Sequence, residues 1–147
     1  MIDQMNLCRD RALNGLREND GDGGIWIPIL CSLGYGYDSR GEHNDALKVW
    51  MNAMKADPGC WTAKSNLGLL YAIHGTTDDA FEKAIFLIWS SCRHGTQEEK
   101  ALFDCLLNQR QLQYPDPDII QRILYLQGIV CGTIDTSGLD EFYADSD

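Results

Sequence analysis

The sequence predicts an all-α fold of about seven helices in successive hairpins, and three observations carry that prediction. The first is a recurrence. Displaced by 34 positions, Leu33-Gly34-x-x-Tyr37 falls on Leu67-Gly68-x-x-Tyr71, Gly41 falls on Gly75, and Asp45-Ala46 falls on Asp79-Ala80. A fixed self-offset of this size marks a repeated supersecondary unit. The second is the placing of large and small residues within each unit. Leu-Gly-x-x-Tyr lines one helical face, where glycine lets a neighbouring helix approach and tyrosine packs beside it. Ala46 and Ala80 put a small side chain at the first buried position of the following helix, so each hairpin can close. The third is punctuation. Gly41 and Gly75 stand where a left-handed residue ends a helix, and Asp57-Pro58-Gly59 stops the next one.

One unit of this pattern resembles the tetratricopeptide repeat. The first unit, Ile27 to Cys60, matches at Leu33, Gly34, Tyr37, Gly41, Ala46, Trp50, Ala53 and Pro58. The second, Trp61 to His94, matches through Gly68, Tyr71 and Ala80. It departs at Ala84, where the family has a large aromatic residue, at Leu87, where it has a small one, and at Cys92, where it has proline. The resemblance implies a right-handed α-solenoid whose first helices line a concave groove. By repeat register the groove positions are Cys31, Tyr35, Asp38 and Ser39 in one unit, and Thr62, Ser65, Asn66, Leu69, Ala72 and Ile73 in the next. Family members that grip the carboxylate tail of heat-shock chaperones carry lysine and asparagine where this chain has Cys31 and Tyr35. Asn66 alone does not make that clamp, so the groove is expected to take an apolar helix or extended segment. The chain's own terminal helices are the alternative cover for Tyr35, Leu69 and Ile73.

Taken in order, Asp3 to about Asn19 reads as a helix with Met5, Cys8, Ala12 and Leu16 on one face. Ala12 and Leu16 lie one repeat before Ala46 and Trp50, so this helix is expected to cap the first unit. Asn19 to Gly24 is a Gly/Asp turn. From Glu18 its acidic spacing imitates a calcium loop, but position twelve is Ile29 and not the bidentate glutamate such a loop uses, so no metal is expected. Helices follow at 27–40, with Pro28 in the first turn, then at 43–57, 61–74 and 77–93. The last of these is apolar around its girth, through Phe81, Ile85, Phe86, Leu87, Ile88 and Trp89. It should be covered on both sides, either by the C-terminal helices or by self-association through 81–89.

Thr96-x-x-Glu99 is a capping box opening a helix to about Tyr114, with Leu102, Cys105, Leu106 and Leu112 on its apolar face. Pro115 and Pro117 break the chain before a last apolar helix, Ile119 to Val130, which Gly132 ends. The domain therefore reads as 1–132: a capping helix (1–19), two repeats (27–60 and 61–94) and a degenerate hairpin (95–132). The stretch 133–147 has no lysine or arginine. It reads as an acidic tail, either frayed or docked through Leu139, Phe142 and Tyr143.

With 22 acidic residues against 12 basic the net charge is −10, which argues against direct binding of nucleic acid through phosphates. It fits a soluble chain, a basic partner surface, or an inhibitor or immunity-type protein that blocks a basic site. No run of about 18 apolar residues exists to cross a membrane, and Met1-Ile2-Asp3-Gln4 lacks the features of a signal peptide. The six cysteines form no Cys-x-x-Cys pair and read as small buried thiols of a reducing cytoplasm. His43, His74 and His94 are dispersed, and Cys92-x-His94 offers only two of the four donors that structural zinc uses. No phosphate loop, nucleophile elbow or paired carboxylates are present, so neither a cofactor nor catalysis is expected. The expected role is that of an adaptor or chaperone-like module for another protein.

Overall fold

The computed structural model describes residues 3–18, 24–77 and 79–144, and every regular element among them is an α-helix. Contacts divide the chain into two units, Met1–Ala63 and Lys64–Asp147.

Unit 1 contains α1 (Gln4–Glu18), α2 (Trp26–Ser39), α3 (His43–Ala56) and the start of α4 (Trp61–His74). Successive helices pack on one another, α1 on α2 and α2 on α3. The α2–α3 contact is close because Gly34 has no side chain. A β-carbon there would lie inside the Trp50 indole. Trp50 is 2% exposed, donates its indole N–H to the Cys31 carbonyl at 3.2 Å and meets the Tyr35 ring edge-on at 5.7 Å. Ala46 and Ala53 are fully buried beside it. Gly41 takes φ +77° between α2 and α3, the left-handed turn its position predicts.

Side-chain contacts tie α1 and the residue before it to α2 and its C-terminal end. Gly15 leaves room for the Trp26 ring, and Tyr37 donates its hydroxyl proton to Asn6 Oδ1 at 2.7 Å. Arg40 reaches Asp3 at 2.8 Å and Glu42 at 2.8 Å. That pairing, chiefly the hydrogen bond from Arg40, holds the Asp3 carboxyl below its ordinary pKa. Of the face expected to be buried, Ala12 is buried, Met5 and Leu16 are half-buried, and Cys8 is exposed. Most of the calcium-like spacing from Glu18 falls on 19–23, outside the described residues.

Unit 2 contains the rest of α4, then α5 (Ala80–His94), α6 (Gln97–Gln113), α7 (Pro117–Cys131) and α8 (Ser137–Phe142). The α4–α5 pair repeats the glycine approach with a different filler. Ala84 stands one repeat after Trp50, and Ile88, a turn further on, occupies the space over Gly68, with its Cδ1 3.0 Å from a β-carbon built there. Gly75 differs from its expected left-handed role. It lies outside the positive-φ region, and it is small because a β-carbon would strike the Tyr71 carbonyl and the Ala80 methyl.

The all-round apolar surface of α5 is covered within its own unit. Phe81 meets Tyr125 of α7 at 6.0 Å, and Phe86 and Trp89 each meet Tyr143 at 5.0 Å. The stretch read as an acidic tail thus carries an eighth helix. Asp135 accepts from the Ser137 N–H at 2.9 Å, and Asp140 accepts from the Trp89 indole at 2.7 Å.

The capping box of α6 forms between Thr96 and Glu99. Asp116 caps α7, Pro117 sits in its first turn, and Gly132 ends it at φ +72°. The buried face of α6 differs from the one expected. Phe103 and Leu107 are buried, whereas Leu102 and Leu112 are 72% and 86% exposed and Cys105 is exposed. Apolar residues occur on both sides of this helix, and a polar ladder joins it to α7. In that ladder Gln127 donates to Asp104 at 2.7 Å and to Asn108 at 2.8 Å, and accepts from Gln111 at 2.9 Å.

Candidate functional site

The α2 helix divides into two faces. Leu30, Cys31, Leu33, Gly34 and Tyr37 are buried. Pro28, Ser32, Tyr35 and Ser39 recur at helical spacing on the other side and are exposed. Beside this outward stripe an open trough of about 430 Å³ runs between α1 and α2, lined by Met5, Cys8, Pro28, Ile29, Ser32, Leu33 and Gly36. Gly36 keeps it deep, since a β-carbon there would come within 2.7 Å of the Met5 methyl. The lining holds no carboxylate, lysine or arginine. Further apolar surface stands beside it in the sequence: Leu7 is 49% exposed, Ile25 65% and Tyr35 40%. An uncharged, mostly apolar hollow of this kind suits a few large side chains of a partner segment.

Of the positions predicted to line a groove, those in unit 1 divide by exposure. Tyr35 and Ser39 are open. Asp38 is half-buried and bonded to His43 Nδ1 at 2.7 Å, and Thr62 is half-buried at the start of α4. Cys31 is buried, at 6% exposure. In unit 2, Ser65, Asn66, Leu69, Ala72 and Ile73 are all buried, which corrects the expectation that α4 presents them as an open wall. Two contacts show part of the cover, and both come from the chain's later helices. Arg122 of α7 donates to the Ala72 carbonyl at 2.7 Å, and Tyr114 stands edge-on to His74 at 5.4 Å. The repeat-defining residues Tyr37, Ala46 and Ala80 are buried, Gly34 and Gly68 sit at helix contacts, Tyr71 is half-buried under Lys83, and Pro58 lies in the exposed turn before α4.

The thiols depart from the reading of six small buried cysteines. Cys8, Cys105 and Cys131 are exposed, Cys60 and Cys92 are half-buried, and only Cys31 is buried. Sequence reasoning also missed a pairing: Cys31 and Cys60 bring their sulfurs to 3.9 Å. Spacing gave no warning, because the pair is closed by the α2–α3 hairpin and not by a local motif. The usable signal was the place of Cys60, after the Asp57-Pro58-Gly59 turn and immediately before α4, where a side chain meets free backbone N–H groups. Burial raises the Cys92 thiol to about 11.

Compared with family models, curated proteins and solved structures, the chain gives no significant match.

Proposed function

We propose that this chain is a protein-interaction module of adaptor or chaperone-like type, built on the tetratricopeptide plan, which takes an apolar segment of another protein on the outward face of α2. The observation that carries this reading is the uncharged trough between α1 and α2, continuous along α2 with the exposed stripe Ser32, Tyr35 and Ser39. Its chemistry favours a partner helix or extended strand that contributes two or three apolar anchors, with the exposed Ser32 and Ser39 beside them on α2. The groove reading made from the repeat register is narrowed accordingly. It rests on the α2 positions, since the α4 positions Leu69, Ala72 and Ile73 are buried.

The test is a pull-down with wild type and with Ser32→Glu/Tyr35→Ala, two exposed positions of which only Tyr35 also touches the core, through its edge-on contact with Trp50. The double variant should keep its helical circular dichroism spectrum, melt a few degrees lower for want of the Tyr35–Trp50 contact, and lose the partner that wild type captures. A folded variant that retains every wild-type partner removes this face from consideration.

A further inference from the structure

We propose that Cys31 and Cys60 form a thiol–disulfide exchange site, in which Cys60 attacks a low-molecular-weight disulfide and Cys31 resolves the resulting mixed disulfide. The two sulfurs lie 3.9 Å apart within unit 1, and forming a bond of about 2.05 Å requires a movement of the order of a side-chain rotation. The backbone around the pair is fixed from both sides. Trp50 binds the Cys31 carbonyl at 3.2 Å, the Cys60 N–H donates to the Asp57 carbonyl at 3.0 Å, and the Gly59 N–H donates to Asp57 Oδ1 at 3.0 Å.

Two neighbouring thiols do not by themselves make a reactive site, because buried cysteines in apolar surroundings are inert. Here the second observation is the position of Cys60 immediately before a fourteen-residue helix, α4, whose first-turn backbone N–H groups at Thr62 and Ala63 favour the thiolate. Those donors, with the partial positive charge of the helix end, stabilise a thiolate. The hydrogen bond from the Cys31 thiol is the largest contribution and the backbone groups add to it, and together they lower Cys60 to about 6. The same contact and burial push Cys31 upward. Access follows the same order. Cys60 is half-buried and reachable, whereas Cys31 is 6% exposed and can act only on what Cys60 carries.

The step balances as follows. The Cys60 thiolate attacks one sulfur of a disulfide RSSR, forming a Cys60–SR bond and expelling RS⁻, which takes a proton from solvent. Cys31 then gives up its proton and attacks the Cys60 sulfur, forming the Cys31–Cys60 bond and expelling a second RS⁻. Two protein thiols are oxidised and one RSSR is reduced to two RSH.

Exposure of the full chain to glutathione disulfide at pH 7, followed by peptide mapping, tests the assignment. Wild type should yield a Cys31–Cys60 cross-link. Cys31→Ser should retain glutathione on Cys60, and Cys60→Ser should leave Cys31 unmodified. Absence of the cross-link in wild type, or a Cys60 left free in Cys31→Ser while the exposed Cys8 is modified, overturns the proposal. A measurement on wild type alone guards against misfolded variants. Iodoacetamide alkylation of Cys60 should reach half-maximum at a pH well below that of N-acetylcysteine measured alongside it. A Cys60 profile that tracks N-acetylcysteine overturns it as well.

Discussion

At Gly34 a hydrogen in place of a methyl group lets the Trp50 indole reach the backbone of α2. The indole is an unusually bad neighbour to displace, because its N–H is tied to the Cys31 carbonyl and its ring edge to Tyr35. Gly34→Ala should therefore lower stability by about 1–3 kcal/mol through overpacking, more than the roughly 1 kcal/mol that helix propensity returns. At Gly68 the obstacles are milder, Ile88 Cδ1 at 3.0 Å and the Ala84 carbonyl oxygen at 3.3 Å, so Gly68→Ala should cost about 1 kcal/mol less than Gly34→Ala. Urea melts of the two variants give the comparison. Placing Gly34→Ala in a Trp50→Leu background should remove most of its cost, since the two residues share one space. An equal cost in both backgrounds would show that the glycine acts through the backbone alone. That Gly34 admits a neighbouring helix was legible in the sequence, because a small residue among large ones at helical spacing is a local property, but that Trp50 fills the space was not. The sulfur pair Cys31–Cys60 was not, because it depends on how a hairpin closes.

Element starts and stops follow local chemistry and were readable. Thr96 and Glu99, Asp116 and Pro117, Gly41 and Gly132 act where their types predict. Helix faces were harder to read. In α6 both Leu102/Leu106 and Phe103/Leu107 fit a helical stripe; Phe103 and Leu107 are the pair that is buried, while Gln127 of α7 bonds Asp104 and Asn108. For a related reason the sequence leaves the acidic end open between a frayed and a docked segment. Its composition reads as solvated, but α8 is held by aromatic rings and a carboxylate that meet α5, more than forty positions earlier in the chain. Tyr143 touches Phe86 and Trp89, the Trp89 indole donates to Asp140, and Arg93 lies over the Trp89 ring at 4.8 Å. Aromatic pairs of this geometry contribute about 0.5–1.5 kcal/mol beyond area burial. Tyr143→Ala should accordingly lower the melting temperature by about 2–4 °C, shift the Trp89 indole proton in NMR spectra and increase binding of an apolar dye. An unchanged indole resonance would mean that α8 does not rest on α5 in solution.

For the whole molecule, charge and binding surface point in different directions, and that conflict gives a decisive measurement. A net charge of −10 and a pI near 4.5 would attract a basic partner from a distance. The trough between α1 and α2 nevertheless carries no charged side chain, and its depth comes from Gly36 and its walls from Met5, Ile29 and Leu33. If binding is seated there, salt will screen the encounter but leave the apolar contact untouched, because the Debye length falls from about 10 Å at 0.1 M to about 3 Å at 1 M while burial of apolar surface does not weaken. The dissociation constant of the captured partner should then change by less than about threefold between 0.05 and 0.5 M salt, with the association rate taking most of that change. An acidic blocker of a basic site would lose affinity by about tenfold or more over the same range, and would be indifferent to Ser32→Glu/Tyr35→Ala. The two readings thus predict opposite outcomes in two independent assays, so a partner that is salt-sensitive and insensitive to the α2 variant would transfer the function from the trough to the acidic surface.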